Sequence, residues 1–168
     1  METGALVSIN EYLSTSYDPD CDYVDGVIEE RNLGENDHAG LQSETYFRLR
    51  SRSIEWGIWA VVEQRVQVSP TRFRVPDICV VLGGRPKEQI FTTPPFICIE
   101  ILSPEDRLSR VQERMNDYLH FGVPYMWLLD PEARKAYQWT ADGMQEIKEL
   151  RTEQPEIVIP LADLFESV

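Results

Sequence analysis

Hydrophobic positions recur with helical spacing in two long segments of the chain. The first segment, 37–57, has apolar residues one helical turn apart and stops at a glycine, as helices commonly do. The second begins at Ser103 or Asp106, either of which could cap it, and runs to about Phe121 before another glycine. A shorter helix or turn is predicted over 8–18, where a serine and a glutamate have capping-box spacing.

Other stretches are continuously apolar or alternate in polarity, which predicts strands. The apolar runs are 58–68, 75–82, 96–102 and 124–130. Runs this apolar are typical of strands covered on both faces. Alternating stretches with Asp-Gly turns predict hairpins at 22–31 and 134–149. The order of elements predicts an α/β fold: a mixed central β-sheet flanked by helices, with an added C-terminal β-hairpin.

Length and charge narrow the class of protein. The 168 residues fit one domain, 1–168, with a core at about 20–140 and a C-terminal hairpin and tail at 134–168. The formal net charge of −13 argues against a protein that coats DNA non-specifically, because such binding needs many Lys and Arg side chains. No segment is apolar enough to span a membrane, and the first residues do not resemble a signal peptide, so we expect a cytoplasmic location.

The cysteines do not predict a metal site. Cys21, Cys79 and Cys98 form no CxxC pair and have no histidine at zinc-finger spacing. Cys79 and Cys98 lie in apolar stretches, where a free thiol behaves as a small hydrophobic group. We therefore expect no structural zinc and a reducing compartment.

Two acidic residues interrupt the apolar runs. Asp77 precedes ICVVL, and Glu100 lies within FICIEIL. A buried ionised carboxylate is costly unless it is paired, hydrogen-bonded or bound to a metal. If the two strands are neighbours, the carboxylates approach each other and repel unless a divalent cation joins them. The alternative is that each acid pairs with an Arg or Lys of a neighbouring element.

Longer motifs around these acids resemble a known family. VPDICVV, FICIEILSPEDR, MNDYLHFGVP and YMWLLDPEAR are similar to the Uma-two family of PD-(D/E)XK nuclease-like proteins, and the resemblance covers roughly 20–165. It implies a restriction-endonuclease-like fold, with a mixed central sheet flanked by helices. It also implies metal-dependent endonuclease activity.

The resemblance assigns residues to the motif one by one. Asp77 matches the PD aspartate and Glu100 matches the (D/E) position, but Leu102 stands where the motif has lysine. In this family the lysine is displaced to the following helix, four residues before a tyrosine, which corresponds to Arg114 before Tyr118. Arginine keeps the positive charge but cannot be deprotonated, so Arg114 could stabilise a transition state and could not act as a general base.

The resemblance further implies a cofactor. Asp77, Glu100 and the main-chain carbonyl of Ile101 would bind Mg²⁺ or Mn²⁺, both of which prefer oxygen ligands. The metal would polarise a phosphate and lower the pKa of an attacking water. Removing either acid is expected to abolish metal binding while stability holds or rises, because repulsion is relieved. If each carboxylate is instead bound to its own guanidinium with no room for an ion, the hydrolase hypothesis fails.

Weaker candidates for site neighbours are Glu30, His38 and Glu44, with Glu63 no stronger than these. Each has an ordinary alternative as a solvated side chain. The segment 48–74 is the most basic part of the chain, and it is either a surface that faces DNA or a solvated surface that balances distant acids. Its arginines are Arg48, Arg50, Arg52, Arg65, Arg72 and Arg74.

Three functional hypotheses follow. The leading one is a divalent-metal-dependent endonuclease that hydrolyses DNA phosphodiester bonds. The alternative is a catalytically inactive nuclease-like domain that binds nucleic acid or protein. The third is a structural homodimer without a ligand. A homodimer is also expected for the nuclease, by analogy with enzymes of this fold that cut both strands.

Overall fold

The computed structural model of the chain describes residues 5–32, 34–166 and 168. The helices are α1 (Ile9–Ser14), α2 (Asn36–Ser51), α3 (Ser53–Trp56), α4 (Leu108–Phe121) and α5 (Leu161–Phe165). The strands are β1 (Asp22–Val24), β2 (Val27–Glu29), β3 (Ile58–Val62), β4 (Val66–Ser69), β5 (Arg72–Arg74), β6 (Ile78–Leu82), β7 (Ile97–Ile101), β8 (Tyr125–Asp130), β9 (Lys135–Thr140), β10 (Gly143–Ile147), β11 (Glu149–Thr152) and β12 (Ile157–Pro160).

A six-stranded sheet forms the centre of the fold, in the order β10-β9-β8-β7-β6-β3. Its neighbouring strands are antiparallel except β7 and β8, which run parallel and are connected through α4. Alternate residues of β7 face opposite layers: Ile97 and Ile99 pack in the cluster that includes Leu41 of α2, and Cys98 packs with Met115 of α4. The predicted mixed sheet with a helix on each face is therefore confirmed.

A second sheet, with the order β2-β1-β5-β4, was not predicted as a separate layer. The run 58–68 was expected to be one strand, but the chain turns at Glu63, which has a positive φ of 51°, and continues in the second sheet as β4. Strand β5 was missed because it has only three residues, of which two are arginines. The hairpin at 22–31 forms β1 and β2 as predicted.

The first long helix was predicted as one element and is two. A break at Arg52 separates α2 from α3. Leu41 and Leu49, two of the apolar residues with helical spacing in the segment 37–57, are buried, but Ile54 lies beyond the break and is 97% exposed. Gly57 ends α3 in the left-handed region at φ 63°, which favours glycine.

Neither predicted cap of the second long helix begins it. Helix α4 starts at Leu108, and the carboxylate of Asp106 instead accepts the main-chain N–H of Ser103 at 2.7 Å, which closes a turn ahead of the helix. The predicted end is observed, because Gly122 follows Phe121 with a φ of 100°.

The C-terminal part contains the predicted hairpin, β9–β10. Strand β11 was not predicted; it pairs with β12 in a separate two-stranded sheet, and α5 follows. At the other end, Ser8 caps α1 by accepting the N–H of Glu11 at 3.2 Å. Within the described residues, every helix is too short or too polar to cross a bilayer.

Candidate functional site

Asp77 and Glu100 lie on adjacent strands of the central sheet. The β6–β7 ladder pairs Ile78 with Ile99 and Cys79 with Cys98, which places Asp77, one residue before β6, opposite Glu100. Both carboxylates are buried, with exposures of 3% and 2%. The sheet thus brings together the two acids that the sequence singles out, in surroundings where an unpaired charge is costly.

Three groups surround the carboxylate of Asp77. Arg31 donates to Oδ1 at 2.6 Å, the N–H of Ile101 donates to Oδ2 at 2.7 Å, and Nε2 of His38 is 3.5 Å from Oδ2. Burial acts to raise the pKa of Asp77, but His38, the Arg31 charge and the Ile101 N–H outweigh it, and the pKa lies below its ordinary value. Asp77 is therefore held in its charged form.

Glu100 has two partners, both on α4. Arg114 donates to Oε2 at 2.9 Å, and the Tyr118 hydroxyl donates to Oε1 at 2.5 Å. Burial, helped by the negative charges of Asp77 and Asp22, raises the pKa of Glu100 to about 7 although Arg114 acts in the opposite direction. The two acids therefore differ: Asp77 is stabilised as an anion, whereas ionised Glu100 is destabilised.

The helix α4 explains how Arg114 reaches Glu100. Arg114 and Tyr118 are four residues apart, so both side chains lie on the same face of the helix, over the end of β7. Arg114 also lies 3.8 Å from Asp22 and 3.7 Å from Asp106. Its guanidinium therefore joins acids from β1, β7 and the turn before α4.

Arg74, which is more deeply buried than Arg114, supports this arrangement through its own ion pairs. Arg74 of β5 is fully buried and donates to Asp117 at 2.7 Å, to Glu29 at 2.9 Å and to Asp22 at 3.1 Å. Asp22 in turn accepts the main-chain N–H of Val75 at 2.9 Å. This network fixes the β1–β2 hairpin against α4 and so fixes one wall of the site.

Two cavities are lined by partners of the carboxylates, and neither cavity is lined by Asp77 or Glu100. The first, which we call the arginine cleft, has a volume of about 260 Å³, and its lining includes Arg31, Arg107, Arg110 and Arg114 as well as several acids. The second has a volume of about 370 Å³ and lies beside His38. Small polar or charged groups could approach the site from either side.

The remaining candidate residues differ in how close they lie to Asp77 and Glu100. His38 contacts Asp77, which raises the pKa of His38 although burial opposes the shift. Glu30 is exposed and lines the arginine cleft. Glu44 accepts from Arg48, which reaches the carbonyl of Asp163, so its contacts point toward α5 and not toward Asp77. The observed contact of Ile101 with Asp77 is made by its N–H, and not by the carbonyl that the resemblance invokes.

Sequence reasoning missed Arg31 and Asp22 as members of the site. Arg31 lies in the irregular segment between β2 and α2, where no periodicity marks its direction. Asp22 begins a three-residue strand that reads as an ordinary hairpin arm. In the sequence, Tyr118 served only to align Arg114 with the family motif. Residues four apart on a helix lie on the same face, so this spacing could have indicated that the Tyr118 hydroxyl also faces the site.

Comparisons with known proteins identify the family and the fold of the chain. A family model described as "Uma2: Putative restriction endonuclease" matches residues 9–168. The chain belongs to the Uma2 family. The resemblance noted in the sequence is thereby confirmed, and the nuclease-like character of the chain rests on the whole matched length. Comparison with curated proteins finds no match.

A solved structure has the same fold as this Uma2 chain. It is a crystal structure of "a putative nuclease belonging to DUF820" from Anabaena variabilis, with a TM-score of 0.81 and 23% sequence identity. The match covers 95% of this chain and 98% of the other. At this identity the likeness establishes the fold alone, a mixed central sheet flanked by helices.

The basic segment 48–74 of this Uma2 chain does not form a uniform positive surface. Arg52 pairs with Glu55, Arg65 with Asp20 and Arg72 with Asp25. Arg48 and Arg74 pair with acids as described above, and Arg50 lies over the ring of Trp59 at 3.6 Å. The structure therefore favours the interpretation that these arginines balance acids over the interpretation that they face DNA.

The donor types at the Uma2 site fit a hard divalent cation, because carboxylate and carbonyl oxygens are the ligands that Mg²⁺ and Mn²⁺ prefer. The arrangement is partly closed, however. All four oxygens of the two carboxylates have protein partners, and the part of the chain that the structure describes contains no group of three or more His, Cys, Asp or Glu side chains arranged to hold a metal. A cation that binds Asp77 therefore competes with Arg31 for the carboxylate.

Proposed function

We propose that this chain is a divalent-metal-dependent endonuclease that hydrolyses DNA phosphodiester bonds. The observation that carries the proposal is the pair formed by Asp77 and Glu100, which face each other from adjacent central strands and are both buried. The raised pKa of Glu100 supports it, because two neighbouring buried carboxylates favour a cation between them. Membership of the Uma2 family supports the nuclease class.

The residues of the chain would divide the work. Asp77, Glu100 and the carbonyl of Ile101 would hold Mg²⁺ or Mn²⁺, which supplies polarisation of the scissile phosphate and a lowered pKa of a bound water. Arg114 would offset negative charge that develops on the phosphoryl oxygens. Because its guanidinium stays protonated, Arg114 would not accept the proton of the attacking water. Tyr118 would keep Glu100 oriented through its hydrogen bond.

Contacts with the DNA backbone would come from the arginine cleft. Arg107 and Arg110 are exposed there, and among the described residues neither forms an ion pair with a carboxylate. Guanidinium groups bind phosphate oxygens with two parallel hydrogen bonds. The acids in the same wall would limit non-specific binding, which fits a chain with a net charge of −13.

A second function has its own support. The pairing of Asp77 with Arg31 and of Glu100 with Arg114 favours a nuclease-like domain that binds nucleic acid or protein without turnover, as does arginine in place of the motif lysine. Each carboxylate is thus bound to its own guanidinium, which is one of two conditions that together would rule out hydrolysis. The other condition is that no room remains for an ion. We retain the enzyme because Arg31 lies on an irregular segment beside a cleft, so its side chain has somewhere to withdraw.

A plasmid assay tests the choice. Purified protein is incubated with supercoiled plasmid and with single-stranded DNA, in Mg²⁺, in Mn²⁺ and in chelator. We expect cleavage with metal, none with chelator, and none by Asp77→Ala. The matched control is Glu44→Gln, an acid whose contacts lie away from the site, and it should cleave like the wild type. DNA binding without cleavage in any metal would establish the inactive domain, and equal cleavage by Asp77→Ala would reveal a contaminant.

Assembly, organisation and location belong to the same proposal. We propose that the protein is a homodimer, because two sites are needed to cut both strands. We also propose that each chain is a single domain over 1–168 and that the protein lies in the cytoplasm. Sedimentation velocity at micromolar concentration should give about twice the 19.5 kDa chain mass. A monomer that cleaves only one strand would contradict the dimer and leave the chemistry intact.

A further inference from the structure

The side chain of Arg31 lies between the buried carboxylate of Asp77 and the arginine cleft. Its guanidinium donates to Asp77 at 2.6 Å, and the same residue lines the arginine cleft. Its side chain is 10% exposed, so it closes the boundary between the buried carboxylate and the cleft. No helix or strand fixes its backbone, since it lies between β2 and α2.

A guanidinium and a divalent cation bound to the carboxylate of Asp77 would repel each other. Each is positive, and Oδ1 of Asp77 is already taken by Arg31 while Oδ2 accepts the N–H of Ile101. A cation that binds this carboxylate therefore competes with Arg31, and we expect it to displace the guanidinium. The displaced guanidinium, still charged, would then move into the arginine cleft, which the same residue lines.

We propose that Arg31 is a displaceable counter-ion of Asp77, which a divalent cation releases into the arginine cleft to bind a nucleic-acid phosphate. The inference rests on the proposed nuclease function and adds a coupling to it. Metal binding costs the pair between Arg31 and Asp77, and a phosphate that receives Arg31 recovers part of that cost. Metal and nucleic acid therefore strengthen each other's binding by the same factor, as linkage requires. In the absence of metal, Arg31 keeps the buried carboxylate neutralised.

Calorimetry with Mn²⁺ alone tests the first half. Arg31→Gln removes the competitor, so we expect it to bind Mn²⁺ roughly tenfold more tightly than the wild type, because the competent state is no longer a minor one. Arg31→Lys keeps a cation that can pair with Asp77 and should stay near the wild type. The matched control is Arg110→Gln, which removes the same charge from the same cleft but no partner of Asp77, and it should leave Mn²⁺ affinity unchanged.

Fluorescence anisotropy with a short labelled DNA tests the second half, with the integrity of the DNA checked on a gel. In the wild type, Mn²⁺ should tighten DNA binding by roughly tenfold relative to chelator, and Arg31→Gln should lose most of that ratio. Arg110→Gln should weaken DNA binding equally with and without metal, so that its ratio stays that of the wild type.

The outcomes separate this inference from the proposed function. Equal Mn²⁺ affinities for the wild type and a folded Arg31→Gln overturn the counter-ion role and leave a metal-dependent nuclease standing. Failure of both to bind Mn²⁺ overturns both proposals, and binding by Arg31→Gln alone supports the counter-ion role. If circular dichroism shows that Arg31→Gln does not fold, the wild type decides: DNA affinity that does not respond to Mn²⁺ overturns the coupling.

Discussion

Replacing Glu100 by glutamine should stabilise the protein, and more so as the pH rises. Burial raises the pKa of Glu100 from an ordinary 4.5 to about 7. Because the folded-state pKa is the higher one, the wild type has its full stability below about pH 4.5 and loses part of it as the pH rises through 7. Glutamine is neutral at every pH and can still accept from Tyr118 or Arg114, so the variant does not suffer this loss.

The size of the effect follows from the same values. A pKa shift of one unit corresponds to about 1.4 kcal/mol of free energy. The raised pKa of Glu100 therefore lowers the stability of the wild type by on the order of 3 kcal/mol at pH 8. Between pH 5 and pH 8 the free energy of unfolding of Glu100→Gln should therefore gain about 2–3 kcal/mol relative to the wild type. For a chain of this length that corresponds to a rise of roughly 4–12 °C in relative Tm.

Urea denaturation in chelator, followed by tryptophan fluorescence at pH 5, 6.5 and 8, measures this gain. Only the change with pH is interpreted, because a constant offset would reflect packing. If the difference in the free energy of unfolding between variant and wild type stays constant from pH 5 to pH 8, the reasoning is refuted. Such a result would show that burial does not destabilise the ionised form of Glu100.

The substitution Asp77→Asn should change stability with pH in the opposite direction. The pKa of Asp77 is depressed below the ordinary 3.8, so the ionised form contributes stability above that pH and loses it on acidification. Asp77→Asn should therefore be less stable than the wild type at pH 7, with a deficit that shrinks below about pH 4. The expectation from the sequence was that stability would hold or rise for either acid; the contacts of Arg31 and His38 reverse it for Asp77.

Two further substitutions test the surrounding network. Arg74→Met removes the buried cation that Asp22 and Asp117 share, although Arg114 stays 3.8 Å from Asp22 and Arg72 stays 2.9 Å from Asp117. The free energy of unfolding should fall by about 3 kcal/mol in urea titrations; a loss below about 1 kcal/mol would mean that the remaining arginines neutralise both acids. Tyr118→Phe removes a hydrogen bond to a buried carboxylate and should cost about 1.5–3 kcal/mol at pH 8 in the same assay, while plasmid cleavage falls because Glu100 is less well oriented; unchanged values for both would exclude an orienting role.

Much of the fold could be predicted from local pattern. The apolar strands β6, β7 and β8 and the glycine that ends α4 follow from side-chain periodicity and backbone conformation, which are properties of neighbouring residues. The second sheet could not be predicted, because β5 is short and highly charged and its buried Arg74 is stabilised by acids from distant segments. The break at Arg52 likewise depends on how α3 meets the sheet.

The site divides in the same way. Asp77 and Glu100 stand out because a carboxylate in an apolar strand is an anomaly that sequence alone reveals. Their partners do not, since Arg31 is 46 residues from Asp77 along the chain and lies in a polar stretch without a periodic pattern that would mark its direction. The difference between a paired carboxylate and a metal ligand is a matter of three-dimensional contacts, and these required the structure.

The facing cysteines of β6 and β7 offer a practical benefit. Cys79 and Cys98 are fully buried, and all three thiols are free. A thiol reacts quickly only when it is accessible and ionised, so a disulfide reagent should modify these two only in molecules whose central strands have separated. The rate of that modification would report, without any added label or mutation, how often the floor beneath the two acids opens, and whether added Mn²⁺ slows the opening.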